Sequence, residues 1–277
     1  MSAATLDYLA VGHLSRDRLP DGRFRLGGTV LYAAATAAAM GLRAAVLTRA
    51  EATLALPPLP GVTVEVLPSK ATTTFRNHYD VRGRRTQHLE AVADPLEAGD
   101  LPAHWRQMSI LHLAPVAGEC GASWADVAAP FVGLTPQGFL RRRRADGTVV
   151  PAPWPQAERF LRHSDAVVLS TEDVGGDEAL IERWASLCPL LVLTEGAAGG
   201  RLYRRGRMSR YAPFPATLRD PTGAGDIFAA AFFVALRRRW PPEEAVRLAA
   251  CLAAASVEAV GLAGVPDEAA LHRCGWR

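Results

Sequence analysis

The chain reads as an α/β protein: a doubly wound, mostly parallel sheet with flanking helices and a small β flap. Three observations predict this. Short apolar runs of strand length alternate with longer helical patterns along the chain. Glycine and proline punctuate the joins between them. Two β-prone stretches interrupt the alternation, and both cannot be central to the sheet. At 277 residues, one domain over 1–277 is expected.

The expected strands are Leu6–Val11, Ala44–Thr48, Thr63–Leu67, Ile110–Ala114, Phe131–Thr135, Ala166–Ser170 and Leu190–Thr194. The expected helices are Thr29–Met40, Trp124–Ala129, Pro155–His163, Asp177–Leu187, Gly225–Arg238 and Pro242–Val260. Gly41 and Gly261 stand where a helix-terminating residue belongs. Pro242, followed by Glu243 and Glu244, suits a first helical turn. Arg18–Leu26 reads as a strand turning back on itself, and Thr72–Glu90 as a hairpin with its turn near Arg82 and Gly83. These lid segments, near 18–28 and 72–90, would form the flap. Arg201–Tyr211 also reads as a hairpin.

A hydrophobic fraction of 49% with 21% charged residues fits a soluble globular chain with a sizeable core. A net charge of +3 is too weak to argue for nucleic acid, and Lys70 is the only lysine. A kinase mechanism here therefore cannot lean on a lysine near a glycine loop. Cys120, Cys188, Cys251 and Cys274 are far apart and show no metal-ligand spacing, so four reduced thiols in a cytoplasmic protein are expected. Met1–Thr5 has no signal-peptide layout, and no run nears the ~18 apolar residues of a membrane span.

The most informative stretch is Asp220-Pro221-Thr222-Gly223-Ala224-Gly225-Asp226, followed at once by an apolar helix. Pro221 stiffens the entry, and the glycines let backbone come close to a ligand. The first helical turn offers free N–H groups, a ready anion site. Asp226 sits in this cradle. An Asp there can be a mere helix cap, but a cap needs no Thr-Gly-Ala-Gly before it. Amide donors for a phosphate beside a carboxylate for a proton are the minimum parts of phosphoryl transfer.

This run resembles the C-terminal signature of the ribokinase-like (PfkB) carbohydrate kinases. The resemblance implies that Asp226 is the catalytic base and that the amides of Gly223, Ala224 and Gly225 form an anion hole. It implies ATP and Mg2+ as cofactors, and a lid over a sugar or polyol. The rest of the chain is similar to the family in motif order. Asp17, after the first strand, stands where the family holds its sugar. Gly27-Gly28-Thr29 looks like the family's Gly-Gly helix opening, but Tyr32 replaces the usual Asn. Asp17, Gly28, Tyr32, Asn77 and Gln137 are the expected substrate-binding residues. Thr194, Gly196 and Gly199 resemble the nucleotide loop, with Thr222 and the helix from Cys251 completing that side. Ser170 and Asp173 stand in for the family's magnesium-supporting Asn-x-x-Glu. The usual Gly-x-Asp-x-x-Gly is absent after Thr48, which trims the first crossover.

Thr135-Pro136-Gln137-Gly138-Phe139-Leu140-Arg141, with Val116–Glu119 and Asp94-Pro95 upstream, is similar to the myo-inositol kinase branch. The expected substrate is therefore a polyol or sugar, then a nucleoside, since Tyr32 could stack on a base. The alternatives are a non-catalytic binder on the kinase scaffold and an RNA-binding accessory resting on Arg141–Arg144. The basic run is read as a solvated face, from which Arg141 could reach a phosphate. No nucleic-acid or membrane partner is expected; a homodimer through the lid is allowed.

Overall fold

The computed structural model describes residues 6–79 and 85–277. The Met1–Thr5 start and the Arg82-Gly83 turn lie outside the described residues. The strands of the main sheet are β1 (Tyr8–Val11), β4 (Ala44–Ala50), β5 (Val62–Pro68), β8 (Ile110–Leu113), β9 (Val132–Leu134), β12 (Ala166–Ser170), β13 (Leu190–Thr194), β14 (Gly200–Arg204) and β15 (Arg207–Tyr211). They form one nine-stranded sheet in the order β15-β14-β13-β12-β9-β8-β1-β4-β5. The pairings from β5 to β13 are parallel, and β14 and β15 close one edge antiparallel. The expected doubly wound sheet is the observed one.

Alternation along the strands explains the layers. Tyr8, Ala10, Ala44 and Val46 join a core with α1 (Thr29–Ala39), α4 (Ala224–Arg237) and α5 (Pro242–Ser256). Leu9, Val11, Ala45 and Leu47 join a second core with α2 (Ala157–His163) and α3 (Glu178–Ala185). Successive side chains point to opposite faces, so each strand feeds both cores. A last short helix, α6 (Glu268–Arg273), follows α5. α4 is buried from Ile227 to Ala235 because α1, α5 and the sheet surround it. Phe233 locks it down: its ring meets His112 edge-on at 5.0 Å, and a Cβ on Gly133 would lie 2.4 Å from that ring.

The two lid segments form one structure, a sheet in the order β3-β2-β6-β7. Its strands are β2 (Ser15–Arg18), β3 (Phe24–Gly27), β6 (Thr73–Tyr79) and β7 (Arg85–Ala91). β2 pairs with β6 in parallel, which joins the segments. The connection from β4 to β5 holds no helix, so the first crossover is indeed trimmed.

Several expectations are corrected. Trp124–Ala129 is a 3₁₀ turn over Ala122–Asp126. α5 ends at Ser256, not Val260. The carbonyl of Val257 accepts the Arg219 and Asp220 amides at 2.8 and 3.1 Å. That carbonyl is spent on the backbone of Arg219 and Asp220, so Gly261 is not the helix terminator. Arg141–Arg143 is a short strand, β10, paired with β11 (Val149–Pro151). Cys251 is disulfide-bonded to Cys274, so four reduced thiols are not found; Cys120 and Cys188 are free and buried.

Candidate active site

The first strand ends in a loop held by one buried acid. Glu119, 3% exposed, accepts the His13 amide at 2.7 Å and the Val116 and Ala117 amides at 2.9 and 2.7 Å. The His13 ring adds bonds to the Thr73 hydroxyl at 2.7 Å and the Asp94 carbonyl at 3.0 Å. The β1 end, the lid and the 116–119 loop are thus tied together before any ligand arrives.

From this anchor a polar chain crosses the lid. Asn77 Nδ2 approaches Asp17 Oδ1 at 3.4 Å. Gln87 Nε2 donates to Asn77 Oδ1 at 3.2 Å, and Arg141 Nη1 donates to Gln87 Oε1 at 3.0 Å. Arg141 Nε also donates to the Val116 carbonyl at 2.8 Å, and the guanidinium lies 5.2 Å from the Phe75 ring centroid. Alternation along β10 turns Arg141 inward while Arg142 stays exposed. Arg143 Nε donates to the Leu89 carbonyl at 2.6 Å. Two arginines of the basic run are therefore engaged within the fold.

The chain leads to α4. Gly223 takes φ 84°, a left-handed conformation glycine allows, and turns the backbone into the helix. The Ala224 amide is directed at the Pro221 carbonyl at 3.3 Å. Asp226 stands in the first helical turn, half-buried. Desolvation pushes its carboxyl up to about 6. A hydrogen bond from Thr29 and the charge of Arg141 pull it down, and Asp173 pushes it up again. Thr29 opens α1 just after Gly28, so the start of α1 meets the start of α4 at the carboxyl. A Cβ on Gly28 would lie 2.6 Å from the His13 carbonyl, which only glycine permits.

Asp220 folds the front of this loop. Its carboxylate accepts the Thr222 amide at 3.0 Å, the Gly261 amide at 3.1 Å and Arg25 Nη1 at 3.1 Å. Burial opposes ionisation, but those hydrogen bonds and the Arg25 charge hold the carboxyl below its usual value.

The other expected residues fall as follows. Gln137 follows β9 at the sheet's C-terminal end, partly exposed. Thr194 ends β13, Gly196 is exposed beyond it and Gly199 is buried. Ser170 and Asp173 engage each other: Asp173 Oδ2 accepts the Ser170 amide and hydroxyl, both at 2.8 Å. Among the described residues no cluster of three acids, histidines or cysteines could cage a metal. The oxygen donors Ser170 and Asp173 fit a hard cation that would be held mainly by donor phosphates and water. Tyr32 differs from expectation. It is 1% exposed, its ring lies 2.4 Å from where a Gly223 Cβ would be, and its hydroxyl is buried without a partner among the described residues. Its ring lies under the Gly223 turn and is covered. Cys251 differs too, since its sulfur is held by Cys274. Sequence reasoning missed Thr29, Gln87 and Asp220. Asp220 and Thr29 stood inside quoted motifs; Gln87 carried no signal beyond its place in a lid strand.

A family model described as pfkB family carbohydrate kinase matches residues 160–269. A cytidine kinase of Thermococcus kodakarensis is 27% identical over 267 residues, covering 88% of this chain and 93% of that enzyme. An inositol 3-kinase of Oryza sativa subsp. japonica is 44% identical over 72 residues, covering 26% of this chain and 18% of that enzyme. Among solved structures, a pyrophosphate-dependent kinase in the ribokinase family, complexed with a pyrophosphate analog and myo-inositol, superposes with a TM-score of 0.76 at 23% identity, covering 92% of this chain and 96% of that one. Ribokinase of Arabidopsis thaliana, complexed with ribose and ATP, gives a TM-score of 0.73 at 20% identity, covering 98% and 99%. The segment matched by the family model contains the whole Asp220–Asp226 loop, so residues 160–269 are similar to the pfkB family carbohydrate kinases, and the solved structures share the fold over most of the chain.

Proposed function

We propose that this protein is an ATP-dependent phosphotransferase acting on a hydroxyl of a small polyol, with inositol-like polyols first. At the coarser level it is a sugar, polyol or nucleoside kinase of its family. The observation that carries the reading is Asp226: a carboxyl raised to about 6, set at the start of α4 beside the Gly223–Gly225 backbone. On this reading Asp226 takes the proton of the acceptor hydroxyl, and the loop amides receive the charge on the transferred group. Bound magnesium would neutralise the donor phosphates, supported from Ser170 and Asp173. A pure binding protein has no use for such a base.

The polyol preference is supported by the chain Asp17, Asn77, Gln87 and Arg141, which alternates acceptors and donors. Hydroxyls both donate and accept, so a ring of them suits such a row. The base-stacking argument for nucleosides loses its residue, because Tyr32 is covered. The cytidine kinase relative, matched over most of both chains, keeps nucleosides as the second reading. A nucleotide donor is supported by Leu218 and Val260, exposed at 68% and 60% beside the Asp220 loop. A purine would cover these apolar side chains, and pyrophosphate would not. ATP as donor goes with a cytoplasmic setting, and among the described residues no helix is long and apolar enough to cross a membrane. A homodimer through the lid would cover Phe24, exposed at 45%; light scattering in solution checks it, and a strict monomer rejects it.

The test is phosphorylation of a panel of polyols, sugars and nucleosides with ATP or pyrophosphate as donor. ATP-driven product from myo-inositol is expected. Product from nucleosides alone would reject the polyol preference, and turnover with pyrophosphate alone would reject the donor.

A further inference from the structure

We propose that Arg25 is a positioning residue that fastens the substrate-holding strands of the lid to the anion-hole loop. The inference rests on the kinase reading above. β2 and β3 are antiparallel, and Asp17 stands directly opposite Arg25. Opposed residues of such a pair project to the same face of a sheet. One rung of the lid therefore carries both the acid assigned to the substrate and a guanidinium. Arg25 Nη1 reaches Asp220 Oδ2 at 3.1 Å, across 195 positions of sequence. No assigned role uses this contact.

Asp220 is the acid whose hydrogen bonds shape the loop. Oδ1 holds the Thr222 amide at 3.0 Å, and Oδ2 holds the Gly261 amide at 3.1 Å. Only 9% of Asp220 is exposed, so its charge depends on these donors and on Arg25. Removing the guanidinium would leave a nearly buried carboxylate without its cation, free to swing and release either amide. The amides of Gly223 to Gly225 follow directly in the chain and would move with it. Gly261 also lies close to Arg25 and Tyr32: a Cβ there would be 3.9 Å from Arg25 Cδ and 3.9 Å from the Tyr32 hydroxyl. Lid, anion-hole loop and the segment after α5 thus meet at one carboxylate. A misplacement of about 1 Å remote from the reacting atoms can cost about 10²-fold in rate. Forming the anion hole and seating the lid over the acceptor become one event. Donor hydrolysis by water is then disfavoured while the lid is unseated.

The experiment compares wild type, Arg25→Ala and Arg25→Lys. Amide deuterium exchange is read at Thr222 and Gly261, with Leu169 of β12 as a reference for global opening. It needs no substrate, so it tests the coupling even if the kinase reading fails. Faster exchange at Thr222 and Gly261 in Arg25→Ala, with Leu169 unchanged, is expected. Exchange as slow as in wild type overturns the proposal. Steady-state kinetics follow on the acceptor found by the panel. The expected result is a fall of about 10²-fold in kcat with a smaller change in KM for the donor, partly restored by millimolar guanidinium. Full turnover in Arg25→Ala, or a loss that guanidinium does not restore, overturns it. Should Arg25→Ala not fold, Arg25→Lys carries the same measurements. It keeps the charge but shortens the fork, and it should exchange faster than wild type at the same amides. A wild type that phosphorylates no acceptor with either donor sinks the kinase reading instead.

Discussion

Replacing Asp226 by Asn should make the protein more stable and nearly inactive at once. The carboxyl lies at about 6 in the fold against an ordinary value of 3.8. That difference, at 1.36 kcal/mol per pH unit, corresponds to about 3 kcal/mol. The sign follows from the direction of the shift. A raised value means the fold prefers the protonated acid. Below about pH 4 both folded and unfolded chains hold the proton, and ionisation costs nothing. Between about 4 and 6 the unfolded chain ionises while the folded one resists, and stability falls. Above about 6 the full cost is present. Asn is isosteric, uncharged and still offers an oxygen to the Thr29 hydroxyl, so it removes the cost and little else. Urea unfolding at pH 4 and pH 8 is the assay. Asp226→Asn should match wild type at pH 4 and exceed it by up to about 3 kcal/mol at pH 8. Turnover should fall by about 10²–10⁴-fold, the span of a general base. Wild-type kcat/KM should rise with pH to a plateau above about 6. A variant no more stable at pH 8, or one that keeps its turnover, would refute the reasoning.

Other perturbations probe the surroundings. Gly223→Ala forces a side chain to φ 84° and into the Tyr32 ring, so turnover should drop about 10²-fold while circular dichroism keeps the helical signal; near-normal turnover would dissociate this turn from the chemistry. Gln87→Leu breaks the chain between Asn77 and Arg141, so KM for the acceptor should rise several-fold with KM for the donor unchanged; an equal rise in both would move Gln87 out of the acceptor site. Reducing the Cys251–Cys274 bond opens a loop spanned by 23 positions, which loop-closure entropy values at about 3 kcal/mol. Denaturant midpoints with and without reductant measure it, and identical midpoints would show that the bond is not formed in solution.

Where local chemistry decided the structure, the sequence was readable. Ala166–Ser170 and Leu190–Thr194 are apolar runs buried on both faces, and both ends of each strand match expectation. The Asp220–Asp226 loop was readable because its glycines serve a local turn. What escaped depended on distant partners. The parallel pairing of β2 with β6 joins segments far apart in the chain, and neither carries a mark of the other. The early end of α5 is set by amides of Arg219 and Asp220, outside the helix. Tyr32 was assigned to the substrate from its place in the Gly-Gly helix opening, yet the start of α4 covers it. Cys251 and Cys274 meet only because α6 folds back on α5.

The amides gathered by Glu119 carry a consequence for kinetics. His13, Val116 and Ala117 all point their N–H groups at this one acid, so two largely buried bends are frozen when the chain folds. Ordering them costs entropy that is settled before any small molecule arrives. The bends at His13 and at 116–117 should therefore be equally rigid with and without a guest. Whatever slows entry or exit must then reside in the four-stranded cover.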